Sequence, residues 1–167
     1  SNVDEDIFKQ VLPTGLTTSF TVYVKWKQTD ASGNSTGDTT NEEMPRVIFV
    51  STGSTSPFIL GWYSDGSDPY TRNFSTEIKS DSGSFNDSGH FNGSYDTWYH
   101  LFIALDKSSS KLRTYYASSG DLEESSISFS GSVDGMDTFK LGGDIGRTDR
   151  GFDGDIASLQ VFQGALS

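Results

Sequence analysis

Gly151-Phe152-Asp153-Gly154-Asp155-Ile156-Ala157-Ser158-Leu159-Gln160-Val161-Phe162-Gln163-Gly164-Ala165-Leu166-Ser167 is an alternation, not a helical repeat. Side chains of a strand point to opposite faces in turn, so Ala157, Leu159 and Val161 share one side. Ile156, Ser158, Gln160 and Phe162 share the other. The spacing predicts a strand with one dry face and one mixed face. Gly151 and Gly154 ahead of it allow a sharp turn of the backbone.

The same period recurs upstream. Phe20, Val22, Val24 and Trp26 alternate with Thr21, Tyr23, Lys25 and Lys27, which predicts a strand with one buried and one wet, amphipathic face. Thr97 to Asp106 is the most apolar run. Tyr99, Leu101, Ile103 and Leu105 fall on one side, and Trp98, His100, Phe102 and Ala104 on the other. Apolarity on both sides predicts a central strand. Lys111 to Tyr116 follows after the turn 106–110, forming a hairpin with it. Shorter strands are predicted at Arg46–Val50, Pro57–Tyr63 and Arg72–Lys79, and around Ile127/Phe129 and Phe139/Leu141. Polar stretches at 29–43 and 80–96 read as loops. Helical spacing never persists long enough for a helix. The whole predicts an all-β, antiparallel two-sheet sandwich, a single domain over 1–167.

The chain carries 23 acidic against 12 basic residues, a net charge of −11. Such a field repels phosphate backbones and anionic lipid, so nucleic-acid binding is not expected. No apolar run reaches the ~20 residues of a membrane span, and no membrane insertion is expected. Cysteine is absent, so neither disulfides nor thiolate metal sites hold the fold. A Ser/Thr/Gly/Asn-rich acidic composition suits a secreted or cell-surface setting.

Four motifs, in order, resemble a known family. They are Phe20-Thr21-Val22-Tyr23-Val24-Lys25-Trp26, the Trp98-Tyr99-His100 strand, Leu141-Gly142-Gly143, and the closing Asp153-Gly154-Asp155-Ile156-Ala157 strand. The series is similar to laminin-G-like, concanavalin A-like jelly-roll domains. The resemblance implies a jelly-roll β-sandwich, a module of a larger secreted protein, and glycan binding with calcium at a sandwich rim.

Catalysis finds little footing in the residues. Retaining glycosidases need two carboxyl groups about 5–5.5 Å apart. The Glu-x-Asp-x-x-Glu strand of glucanases with this architecture is missing, and Glu42-Glu43 and Glu123-Glu124 are adjacent pairs whose side chains diverge on a strand. Neither His90 nor His100 follows the Gln-x-His pattern of the related lyases, and His100 mid-strand reads as a packed, hydrogen-bonded histidine. Calcium wants several oxygens gathered by Gly-rich loops. Asp144, Asp149, Asp153 and Asp155 are the best such group, ahead of Asp65 with Asp68 and Asn86 with Asp87.

Sugar rings stack their C–H faces on aromatic side chains while polar groups fix the hydroxyls. Trp62, Tyr63, Asp68, Tyr70 and Arg72 supply both types in one strand–loop–strand unit. His90 and Tyr95 add a second loop and Arg147 a possible rim. Trp62 shares parity with Phe58 and Leu60, which leaves a core role open for it. Tyr23, Lys25 and Lys27 could line an exposed sheet. The expected function is a non-catalytic, lectin-like carbohydrate-binding module whose partner is a glycan or polysaccharide. The alternatives are an adhesion module binding other surface proteins, and a lyase or glycosidase of the same fold.

Overall fold

The computed structural model describes residues 8–28, 46–52, 57–63, 73–83, 85–87, 91–142 and 154–167. Among them are twelve strands and no helix: β1 (Phe8–Leu16), β2 (Phe20–Gln28), β3 (Arg46–Ser51), β4 (Phe58–Tyr63), β5 (Asn73–Lys79), β6 (Phe85–Asp87), β7 (Phe91–Asn92), β8 (Trp98–Asp106), β9 (Lys111–Ala117), β10 (Glu123–Ser128), β11 (Met136–Leu141) and β12 (Gly154–Gln163). One sheet has the order β10-β9-β8-β2-β12. The other runs β1-β11-β3-β4-β5-β6, with β7 also paired to β5. The pairings are antiparallel, and the expected two-sheet sandwich is what forms.

Apolar alternation explains the layers. Tyr99, Leu101, Ile103 and Leu105 of β8 are buried beside Phe20, Val22, Val24 and Trp26 of β2. Ile48, Val50, Ile59, Phe74, Ile78 and Phe139 face them from the larger sheet. As its two apolar sides require, β8 takes the middle of its sheet. A polar bond crosses the core, between the buried hydroxyls of Thr76 on β5 and Thr114 on β9, 2.5 Å apart. Buried hydroxyls are as a rule partnered, and here each sheet supplies a partner for the other's.

A cluster of rings closes one end. Tyr116 lies 4.7 Å from Tyr99, 5.3 Å from Phe74 and from Phe91, and 6.4 Å from Trp26, centroid to centroid. At this end β2, β4, β9 and β11 finish and β3, β5, β8, β10 and β12 begin. The segment 118–122 joins β9 to β10 here.

Four elements depart from expectation. β6 and β7 lie in the stretch 80–96 read as a loop, where they pair with β5. In β12, Ile156 pairs with Trp26 but Ser158 pairs with Lys25, so a bulge absorbs Ala157. The extra residue inverts the parity. Ile156 and Leu159 both pack against the core, while Ala157 is exposed and leaves the side predicted for it. β12 is also an edge, which leaves Val161 40% and Phe162 46% exposed. β1 was not foreseen, because Pro13 and Gly15 break its pattern. It sits at the sheet edge with a register shift between Val11 and Leu16, a place where a missing N–H is tolerated.

The β8–β9 turn is built on one carboxylate. Asp106 Oδ1 accepts from Ser108 N at 3.1 Å and Ser108 Oγ at 2.7 Å, and Oδ2 accepts from Ser109 Oγ at 2.5 Å and an Arg113 N–H at 3.2 Å. The Ser109 hydroxyl first, then Ser108, hold its pKa well below the usual carboxylate range. A depressed folded-state pKa means the stabilisation is complete above the unfolded value of ~3.9 and is lost as pH falls through the folded one. Asp106→Asn is therefore expected to melt below the wild type at pH 7, with the gap closing in acid. Thermal melts across that range check this; a gap unchanged down to pH ~2 would refute it.

Candidate functional site

The alternation that buries one face of β2 and β8 leaves the other to solvent. Register sets Lys27 opposite Trp98, Lys25 opposite His100 and Tyr23 opposite Phe102. Across β2 these rows continue into Asp155, Ser158 and Gln160 of β12. Beyond β8 the last two continue into Ala117 and Tyr115 of β9. Trp98, His100, Phe102, Tyr23, Lys25 and Lys27 are all half-buried, so each keeps surface available on this outer face.

The rings support one another. Tyr23 lies 4.7 Å from Phe102 and stacks on His100 at 5.9 Å with 17° between planes. Tyr23 Oη and His100 Nδ1 share a hydrogen bond of 2.8 Å. Lys25 Nζ and Lys27 Nζ sit 5.6 and 5.3 Å from the Trp98 ring centroid, within cation–π range. Lys27 also pairs with Asp155 at 2.9 Å. That hydrogen bond raises the Lys27 pKa above its ordinary value, helped by the charges of Asp155 and Asp96 and opposed by partial burial.

The chain end bounds the row of rings. Gly164, at φ 94°, turns the backbone after β12 in a conformation that side chains disfavour. Its N–H donates to Ser19 O at 2.8 Å. Thr21 Oγ1 donates to Gly164 O at 2.9 Å and accepts from Leu166 N at 2.9 Å, while Tyr115 Oη donates to Leu166 O at 3.5 Å. Residues 164–166 thus cross from β12 toward β9. Ala104, paired with Thr21, is buried beneath this crossing although it lies on the outer face. Along β8 the accessible rings stop at Phe102, while on β12 Phe162, paired with Thr21, stays 46% exposed.

The sequence-predicted residues are placed as follows. Trp62 and Tyr63 end β4, paired with Ser75 and Phe74 in the larger sheet. Phe58, whose parity Trp62 shares, stacks with Phe49 at 5.4 Å, and the core positions of this strand are Ile59 and Gly61. Tyr95 is half-buried against the core, its carbonyl accepting from Thr97 Oγ1. Asp155 is the partner of Lys27. Asp68, Tyr70, Arg72, His90, Arg147, Asp144, Asp149 and Asp153 lie outside the described residues. Among the described residues no group of three or more His, Cys, Asp or Glu gathers to hold a metal. Trp98 and Phe102 were not singled out as ligand-facing, since alternation assigns them a side and pairing alone puts Tyr23 and the lysines beside them.

All-β, antiparallel and layered in this order, the protein is a jelly-roll sandwich of the concanavalin A-like type. No known family model and no curated protein matches the chain. Solved structures share its fold at low identity. A heptameric SAP-like pentraxin from Limulus polyphemus is 12% identical with a TM-score of 0.62, over 95% of this chain and 69% of its own. The CBM40 of the Ruminococcus gnavus IT-sialidase, bound to α2,3-sialyllactose, is 16% identical with a TM-score of 0.59, over 94% and 79%. The enzymatically active domain of tailspike protein 2 from bacteriophage CBA120 is 12% identical with a TM-score of 0.69. That match takes in 99% of this chain and 25% of the tailspike.

Proposed function

We propose that the protein is a non-catalytic, lectin-like carbohydrate-binding module of laminin-G-like type, working outside the cell or on its surface. The observation that carries this reading is the half-exposed row of Trp98, His100 and Phe102 with Tyr23 beside it. Rings held by their neighbours offer flat apolar faces with little entropy to lose on binding, and Ser158, Gln160 and the Tyr23 hydroxyl stand alongside to meet sugar hydroxyls. A sialyllactose-bound module of the same fold supports the assignment by analogy. Of the carboxylates on this face, Asp106 holds the Ser108, Ser109 and Arg113 contacts and Asp155 holds Lys27.

Glycan-array binding with wild type and Trp98→Ala tests it. Wild type is expected to retain a defined set of glycans, and the variant to lose about tenfold or more in affinity, a ring contact being worth on the order of 1 kcal/mol beyond its buried area. An array without signal, or a variant that binds unchanged, would reject the reading. Calcium, if used, would be held by Asp144, Asp149, Asp153 and Asp155. Asp155 would then have to exchange Lys27 for the ion. A melting temperature that rises with calcium and falls back with chelator is the expected sign.

A lyase is the second reading, favoured by the Tyr23–His100 hydrogen bond, which gathers two proton-carrying groups on an open face. Its mark would be unsaturated products absorbing in the ultraviolet when polysaccharides are incubated with the protein.

A further inference from the structure

The outer face does not share the charge of the molecule. The chain has 23 acidic residues to 12 basic ones, yet this face sets Lys25, Lys27, Lys111 and Arg113 against Asp106, Glu124 and Asp155, with Asp96 acting on Lys27. Two of those basic groups are committed, Lys27 to Asp155 at 2.9 Å and Arg113 to Asp106 at 3.2 Å. Lys25 differs. Its row reads Ser158, Lys25, His100, Ala117, with no acid in it, and the next row is Gln160, Tyr23, Phe102, Tyr115. Among the described residues no carboxylate pairs with Lys25, whose ammonium group stands 5.6 Å from the Trp98 ring.

A cation beside an accessible ring, in a row without acids, is a receptor for an anion carried on a stackable ring. Adjacent strands lie about 4.8 Å apart and same-face rows about 7 Å apart, so one pyranose spans the step from Trp98 to His100. Long-range repulsion from an acidic chain disfavours anions in general. An anionic ligand must therefore be captured at short range, where a charge-assisted hydrogen bond outweighs that field. Resting on the glycan-binding reading, we infer that this face selects glycans bearing a carboxylate, with Lys25 receiving the carboxylate and Trp98 stacking the ring that carries it. The Lys27–Asp155 pair beside it is a brake, since Asp155 neutralises the second lysine and repels the ligand.

The test uses an array of oligosaccharides ending in carboxylated sugars, their methyl esters and their sulfated and neutral counterparts, probed with chelator present. Wild type is expected to prefer the carboxylated members, with binding that weakens as salt is raised. Lys25→Gln is expected to lose about tenfold or more and to lose the preference over the esters. Asp155→Asn, which frees Lys27, is expected to bind several-fold tighter. Equal binding of acids and esters, a preference surviving in Lys25→Gln, selection of sulfated members alone, or weaker binding by Asp155→Asn would overturn the inference. Those outcomes leave glycan binding itself intact, whereas an array that retains nothing rejects the underlying reading.

Discussion

Tyr116→Ala is expected to lower folding stability by about 3–5 kcal/mol, the usual cost of removing a fully buried aromatic side chain. Tyr116 touches rings from both sheets, Tyr99 and Trp26 on one and Phe74 and Phe91 on the other. Its loss leaves a void that four large neighbours cannot fill without leaving their rotamers. In a domain of this size that corresponds to a fall on the order of 10 °C in Tm. Chemical denaturation checks the figure; a change under ~1 kcal/mol would mean the cluster adds little beyond the area it covers. The effect reaches function, because the strands carrying Trp98, Lys27 and Asp155 start or end at this cluster.

Gly61→Ala is expected to cost about 1–3 kcal/mol by overpacking. A Cβ there would lie 2.9 Å from Ile48 Cγ2 and from Phe74 Cζ, and 3.5 Å from Ile103 Cδ1 of the opposite sheet. Two buried side chains must give way together, and Phe74 is wedged against Trp26 and Tyr116. The same denaturation measurement decides it, and a neutral result would show that the sheets can part slightly at this point. Combined with Tyr116→Ala the two costs should fail to add, since both act through Phe74.

Much of the architecture was legible because alternation is a local signal. The parity of β2 and β8 is a property of each strand alone, and the sides read as their core faces are buried: Phe20, Val22, Val24 and Trp26, and Tyr99, Leu101, Ile103 and Leu105. The central place of β8 followed from the same source. Where a neighbour intervened, the local signal failed. Nothing in Ile156-Ala157-Ser158 announces a bulge, which exists because β12 must keep step with β2 on both sides of Ala157. Pro13 and Gly15 hid β1, an edge strand whose pairing with β11 is supplied by residues more than a hundred positions away.

The candidate site divides along the same line. Tyr23, Lys25 and Lys27 could be assigned to an outer face from one strand's period. That Trp98 meets two lysines, that Tyr23 bonds His100, and that Asp155 quiets Lys27 but not Lys25 are facts of register between three strands. Register is settled by how both sheets bury their apolar sides at once, a condition on the whole sandwich that no single segment contains.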